Sequence, residues 1–211
     1  MTTLLTVVFL LSSVVHADSV DASLSNIGIH GKGGLWVYEV TPEGPAGASG
    51  LTRSDLLTQF DGTAFDSIRG PEGLYLYHGP QGKGSELVLI GFLRERIGQI
   101  IEVGYLRKED WGNCEPLFSE RSAPVEVTAH ELAADRPTIG VMGAPGFLVT
   151  EVAIGSRTRR LGVQPGDIIT ELNRRPYGAK TDDDWTQLTI RLQRCSDNNG
   201  SPVLRSVYLE E

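Results

Sequence analysis

The sequence predicts a mainly β chain with short helices, an α+β arrangement built by duplication. Three observations carry that prediction. First, residues 27–61 align without a gap to residues 139–173 at a constant offset of 112. Ten of the 35 aligned positions are identical: Ile27, Gly28, Gly31, Gly34, Val37, Glu39, Val40, Gly50, Asp55 and Thr58 with their partners. Ordinary composition would give roughly two. A period this long marks a duplicated domain, because solenoid repeats run about 20–50 residues. Second, each block holds short apolar runs of strand length bounded by Gly or Pro. Third, 25 glycines and 11 prolines favour many turns over long helices.

Each block opens on an apolar-Gly-apolar step, Ile27-Gly28-Ile29 or Ile139-Gly140-Val141. A strand follows, Gly34–Val40 or Gly146–Val152, mostly apolar and bounded by Gly34 and Pro42 in the first copy. Gly44–Ser49 and Ser156–Leu161 are long enough for one or two helical turns, closed by Gly50 or Gly162, as glycine closes helix ends. A turn carrying Asp55 or Gly166-Asp167 leads into a second strand, Leu56–Phe60 or Ile168–Leu172. Beyond the aligned blocks the first copy continues with the broken segment Ile68–Gly79 and two strands, Glu86–Leu93 and Gln99–Tyr105. The second continues with a helix over Asp182–Arg194. Its aspartates suit an N-terminus, and Trp185, Leu188 and Leu192 share a face. Pro202–Leu209 reads as one last strand, with no second-copy partner for Gln99–Tyr105 before Glu211. Residues 107–136 form a connector of mixed charge that holds one strand-like run, Val125–Thr128.

The order and spacing of these pieces resemble PDZ domains, particularly those of bacterial extracytoplasmic proteins of the high-temperature-requirement protease type. Pro42-Glu43-Gly44-Pro45-Ala46 through Gly50-Leu51 is similar to that family's P-x-G-P-A…G-L stretch. Leu161-Gly162-Val163-Gln164-Pro165-Gly166-Asp167-Ile168 is similar to its G-[LV]-x-x-G-D-x-I. The resemblance implies two PDZ-like sandwiches or barrels of five to six strands in tandem, at 27–106 and 137–211. It also implies binding of C-terminal or extended peptides by strand addition. The carboxylate would lie over the amides of Ile27, Gly28 and Ile29 with His30 following, or of Ile139, Gly140 and Val141 with Met142 following. Glycine there allows close approach of an anion to backbone N–H groups. Arg136, three positions before Ile139, would assist the carboxylate. Trp185 and Leu188, or Leu74 and Tyr75 in the first copy, would line the pocket for an apolar terminal side chain.

Composition narrows the function. Lys and Arg number 19 against 27 Asp and Glu, a formal charge of −8, which repels a phosphate backbone and argues against nucleic-acid partners. The densest basic group is Arg157, Arg159 and Arg160. Leu4–Val15 is apolar but too short for a span, which takes about 20 residues. With Val15-His16-Ala17 behind it, it reads as a signal peptide cleaved after Ala17, leaving 18–26 as a lead into the first copy. A periplasmic or secreted location follows. There Cys114 and Cys195 could form one disulfide or remain free thiols.

No residue set for catalysis stands out. Ser49 falls in the repeat's helix end and lacks a nucleophile motif. His130-Glu131-Leu132-Ala133-Ala134 has Ala134 where a zinc helix needs its second His. Gly79–Gly84 has the wrong spacing for a phosphate loop. No enzyme, cofactor or metal is expected. The expected partners are protein or peptide C-termini, with a separate protease or envelope complex as a further candidate and no membrane span after cleavage. Two other readings stay open: a remnant of a longer serine protease of that type, and a structural or oligomerisation pair without a peptide ligand.

Overall fold

The computed structural model describes residues 24–68, 75–78, 85–109, 118–131, 133–177, 187–195 and 202–210. They form a mainly β, antiparallel structure. The strands are β1 (Ile29–Val40), β2 (Leu56–Phe60), β3 (Thr63–Ala64), β4 (Tyr75–His78), β5 (Ser85–Leu87), β6 (Ile100–Lys108) and β7 (Phe118–Glu126). They continue as β8 (Thr128–His130), β9 (Ala133–Thr138), β10 (Val141–Val152), β11 (Ile168–Leu172), β12 (Arg175–Pro176), β13 (Gln187–Cys195) and β14 (Pro202–Glu210). Three short helices join them: α1 (Pro45–Ala48), α2 (Val88–Arg94) and α3 (Arg157–Arg160).

One sheet runs through both copies in the order β14-β13-β11-β10-β1-β2-β6-β7, with β12 on β11 and β3 on β2. The order is symmetric about its middle. β1 and β10 are the equivalent strands of the two copies, and they pair along their whole length from Ile29↔Val152 to Val40↔Val141. Adding 112 to one partner and subtracting it from the other turns Gly33↔Phe147 into Leu35↔Pro145. Gly34↔Gly146 maps onto itself, so an approximate twofold axis passes through that pair. The register shifts obey the same symmetry, leaving Tyr38 and Thr150 as the equivalent extra residues. Such bulges kink and twist a strand, and each long strand thereby serves both copies.

That is visible in the cores. The cluster around Val37, Leu57, Phe60, Phe65, Ile101 and Val103 of the first copy also contains Ile139, with Val141 packed against it. The cluster around Phe147, Val149, Ile169, Leu172 and Tyr177 of the second contains Leu24 and Ile29, with Ile27 against it. Each copy thus lends its opening step to the other's core. On the opposite sheet face, Trp36 and Leu56 meet their own equivalents, Leu148 and Ile168, together with Leu106.

The aligned strands and both short helices form where the sequence predicts them. Three segments differ. The expected strand Glu86–Leu93 is instead β5 followed by α2. Val88–Leu93 is continuously apolar except for Gly91, so it does not alternate, and Leu89 and Leu93, four apart, both face the first core. The Arg96 guanidinium closes that helix, 3.7 Å from the Phe92 ring centre and donating to the Phe92 carbonyl at 2.8 Å. The expected helix Asp182–Arg194 is overturned over its second half, where 187–195 is β13. Leu188 and Leu192 are four apart, a spacing that suits either period. Leu188, Ile190 and Leu192 against Gln187, Thr189, Arg191 and Gln193 is the two-residue period of a strand. Residues 181–186 lie outside the described residues.

Third, 118–126 of the connector is β7, paired along β6 and supplying Ala123 and Val125 to the first core. By position β13 matches β6 and β14 matches β7, because Phe60↔Val103 corresponds to Leu172↔Ile190. The second copy is therefore not short of a strand in this sheet.

Candidate interaction edges

The residues expected to capture a peptide lie in two clusters, one at each end of the β1–β10 ribbon. At one end, Gly28 adopts φ +78° after a helical turn at residues 24–26. Its carbonyl accepts the Ala153 amide at 2.8 Å, and the Ile27 carbonyl accepts the Thr158 hydroxyl at 2.9 Å. At the other end Gly140 adopts φ +80°. Its carbonyl accepts the Thr41 amide and the Ile139 carbonyl accepts the Ala46 amide, both at 2.9 Å. Glycine is needed at both places, since side chains rarely adopt this conformation. A Cβ on Gly28 would also stand 2.9 Å from the Ser156 Cβ.

The amides of these steps have partners inside the chain. Ile27 donates to the Leu24 carbonyl at 3.2 Å and Gly28 to that of Ser25 at 3.0 Å. Gly140 donates to the Thr138 hydroxyl at 3.0 Å. Ile29 and Ile139 are buried, His30 is exposed opposite Glu151, and Met142 is exposed opposite Glu39. The strand edge that each copy was expected to offer a peptide is paired with its equivalent in the other copy.

The remaining expected site residues are dispersed. Arg136 is exposed on β9, in a hairpin with β8 that packs near α2. Tyr75 opens β4 and Leu188 lies on β13 opposite Leu209. Leu74 and Trp185 lie outside the described residues, as does Cys114, while Cys195 ends β13. No three of His, Cys, Asp and Glu gather as a metal-binding group among the described residues, and no described helix is long and apolar enough to cross a membrane.

The sheet also has two outer strands, β7 and β14, which sequence reasoning did not single out. β7 is protected in the ways edge strands usually are. Pro124 sits within it and has no N–H to offer, and its carbonyl accepts the Ser49 hydroxyl from beside α1. Charges flank this point. Glu120 pairs with Lys32, which holds its carboxyl below the usual carboxylate range by hydrogen bond and charge. Glu109 is lowered likewise by the Ser119 hydroxyl and by Arg121, whose guanidinium lies 2.5 Å away.

β14 carries no proline inside the strand. Glu102 is opposite Pro124; its positional equivalent, Thr189, is opposite Tyr208. A residue with an N–H therefore stands where β7 has proline. The equivalent of Ser49 is Leu161, whose side chain has no donor. Only Pro202, the first residue of β14, lacks an N–H. No protein-family model and no curated protein sequence matches the chain.

Proposed function

We propose that the chain is a non-catalytic, extracytoplasmic protein-interaction module that takes up an extended segment of a partner as an added strand on β14. The observation that carries this reading is the contrast between the two outer edges: β7 is blunted by Pro124 and Ser49, whereas the nine residues of β14 are paired on one side only among the described residues. Main-chain hydrogen bonds would supply the affinity and alternate side chains the selectivity. A PDZ-like ancestry fits the repeated motifs. In that reading the inward edges of β1 and β10 have become each other's ligand, and recognition has moved outward. A partner in an envelope protease or other envelope complex is consistent with the expected export.

Tyr208→Pro tests the site. The substitution copies what β7 already tolerates at the matching position, so the fold should persist while the N–H is lost. Panning the chain against a library of extended and C-terminal peptides should yield binders. Tyr208→Pro should weaken them about tenfold, the order of one lost hydrogen bond with its unpaired partner. Unchanged affinity in a folded variant would place the site elsewhere. A library with no binders would favour a second reading, supported by the continuous β1–β10 pairing, that the duplicated pair is structural.

A further inference from the structure

We propose that the loop and helix at Ala153–Arg160 form a docking tip for the surface of an anionic lipid bilayer. Ile154 is 92% exposed, the most exposed large apolar residue among the described residues. Arg157, Arg159 and Arg160 follow it within six positions, and all three are exposed. Arg160 donates to the Gly155 carbonyl at 2.7 Å and Arg159 to the Val152 carbonyl at 3.3 Å. These bonds tie the loop down and keep both cations beside Ile154. The Ser156 hydroxyl, accepting the Arg159 amide at 3.2 Å and 2.9 Å from the Thr158 hydroxyl, fixes the turn between them. An exposed apolar residue beside two tethered cations, with a third, Arg157, on the same short helix, matches a headgroup layer, where the cations meet lipid phosphates and the apolar side chain reaches the acyl boundary.

A further observation favours a bilayer. The equivalent tip of the first copy, residues 41–48, has the same backbone plan but carries Pro42 and Glu43 and no basic residue. The cationic-apolar character is therefore not demanded by the fold, and it stands out on a chain of net charge −8. The tip also lies where the chain enters the fold: the Gly28 carbonyl accepts the Ala153 amide, and Thr158 bonds to Ile27. This inference does not use β14.

The test is co-sedimentation with vesicles, using the chain from Asp18 onward, which keeps every described residue and removes the apolar run as a competing anchor. Its circular dichroism should match that of the full chain. Vesicles containing phosphatidylglycerol should retain it, vesicles of phosphatidylcholine alone should not, and 0.5 M salt should release it. Arg157→Glu and Ile154→Asp should each reduce retention about fivefold or more, whereas Pro42→Asp on the equivalent tip should leave it unchanged. Retention that is equal on both vesicle types, absent on both, or indifferent to the Ile154 and Arg157 variants would overturn the proposal. Capture by immobilised polyglutamate without vesicle binding would also overturn it, in favour of an acidic protein partner.

Discussion

The positions kept identical between the copies do matching work, and Asp55 illustrates it. Its side chain is 1% exposed, yet every polar contact it needs is supplied. The carboxylate accepts the Thr52 amide at 2.7 Å and two bonds from Arg107, at 2.8 Å from Nε and 2.6 Å from Nη2. Arg107 holds its proton more firmly than usual, first through the Asp55 hydrogen bond. Its Nη2 also reaches the Gly50 carbonyl at 2.8 Å, so one ion pair joins the turn, the helix end and β6. Asp167 is equally buried and accepts the Gln164 amide at 2.9 Å, the counterpart of the Thr52 bond. Asp55→Ala would leave the turn amide and Arg107 Nε without their acceptor and the guanidinium with the Gly50 carbonyl but no counter-charge. Removing one partner of a buried ion pair costs about 3–5 kcal/mol. Arg107 is only partly buried, which places the expected loss near the lower end. Urea unfolding should show about 3 kcal/mol lost; a change below about 1 kcal/mol would mean the turn is held by its backbone alone.

At the scale of elements, legibility follows from whether local pattern and tertiary need agree. β2 and β11 were readable to the residue because short apolar runs lay between a turn aspartate and a polar break. The short helices were readable from the length of their segments and the closing glycines. β13 was misread because Leu188 and Leu192 satisfy two periods at once, whereas Ile190 between them, on the two-residue period, belongs to the strand that pairs with β11. β7 was hidden in a charged segment, since an edge strand carries Glu120, Arg121 and Pro124 where a central strand would carry apolar residues.

Of the repeated glycines, Gly34 stands at a crossing point of the sheet. Gly34 lies on the twofold axis, and a Cβ there would stand 2.5 Å from the Leu57 carbonyl oxygen and 2.7 Å from the Leu56 Cγ. The obstacle is partly backbone, so neighbouring side chains cannot simply turn away. Gly34→Val should destabilise the protein by about 2–3 kcal/mol or more, the range of an overpacked core with added strain. A thermal midpoint within about 1 °C of the parent, where 1 kcal/mol is worth about 2–4 °C at this size, would show that the β1–β10 ribbon does not sit as closely on β2 as the structure has it.

For the whole molecule, the exchange of opening steps decides whether two copies mean two independent domains. Leu24 and Ile29 are fully buried in the second core, and Ile139 is 3% exposed in the first. Burying three such side chains contributes about 5–9 kcal/mol, comparable with the total stability of an ordinary domain, about 5–15 kcal/mol. Separating the copies would also unpair β1 from β10 and strip both sheets to shorter ones with bare central edges. The two halves should therefore unfold together. Cutting the chain after Leu132 gives fragments 18–132 and 133–211, each keeping its own β2–β6–β7 or β11–β13–β14 set but lacking the other's opening step. Neither fragment alone should show a cooperative thermal transition, and mixing them should restore one transition at or below that of the parent chain. A cooperative transition in either isolated fragment would mean that its core closes without the borrowed isoleucine, and the copies would then be neighbours rather than halves of one fold.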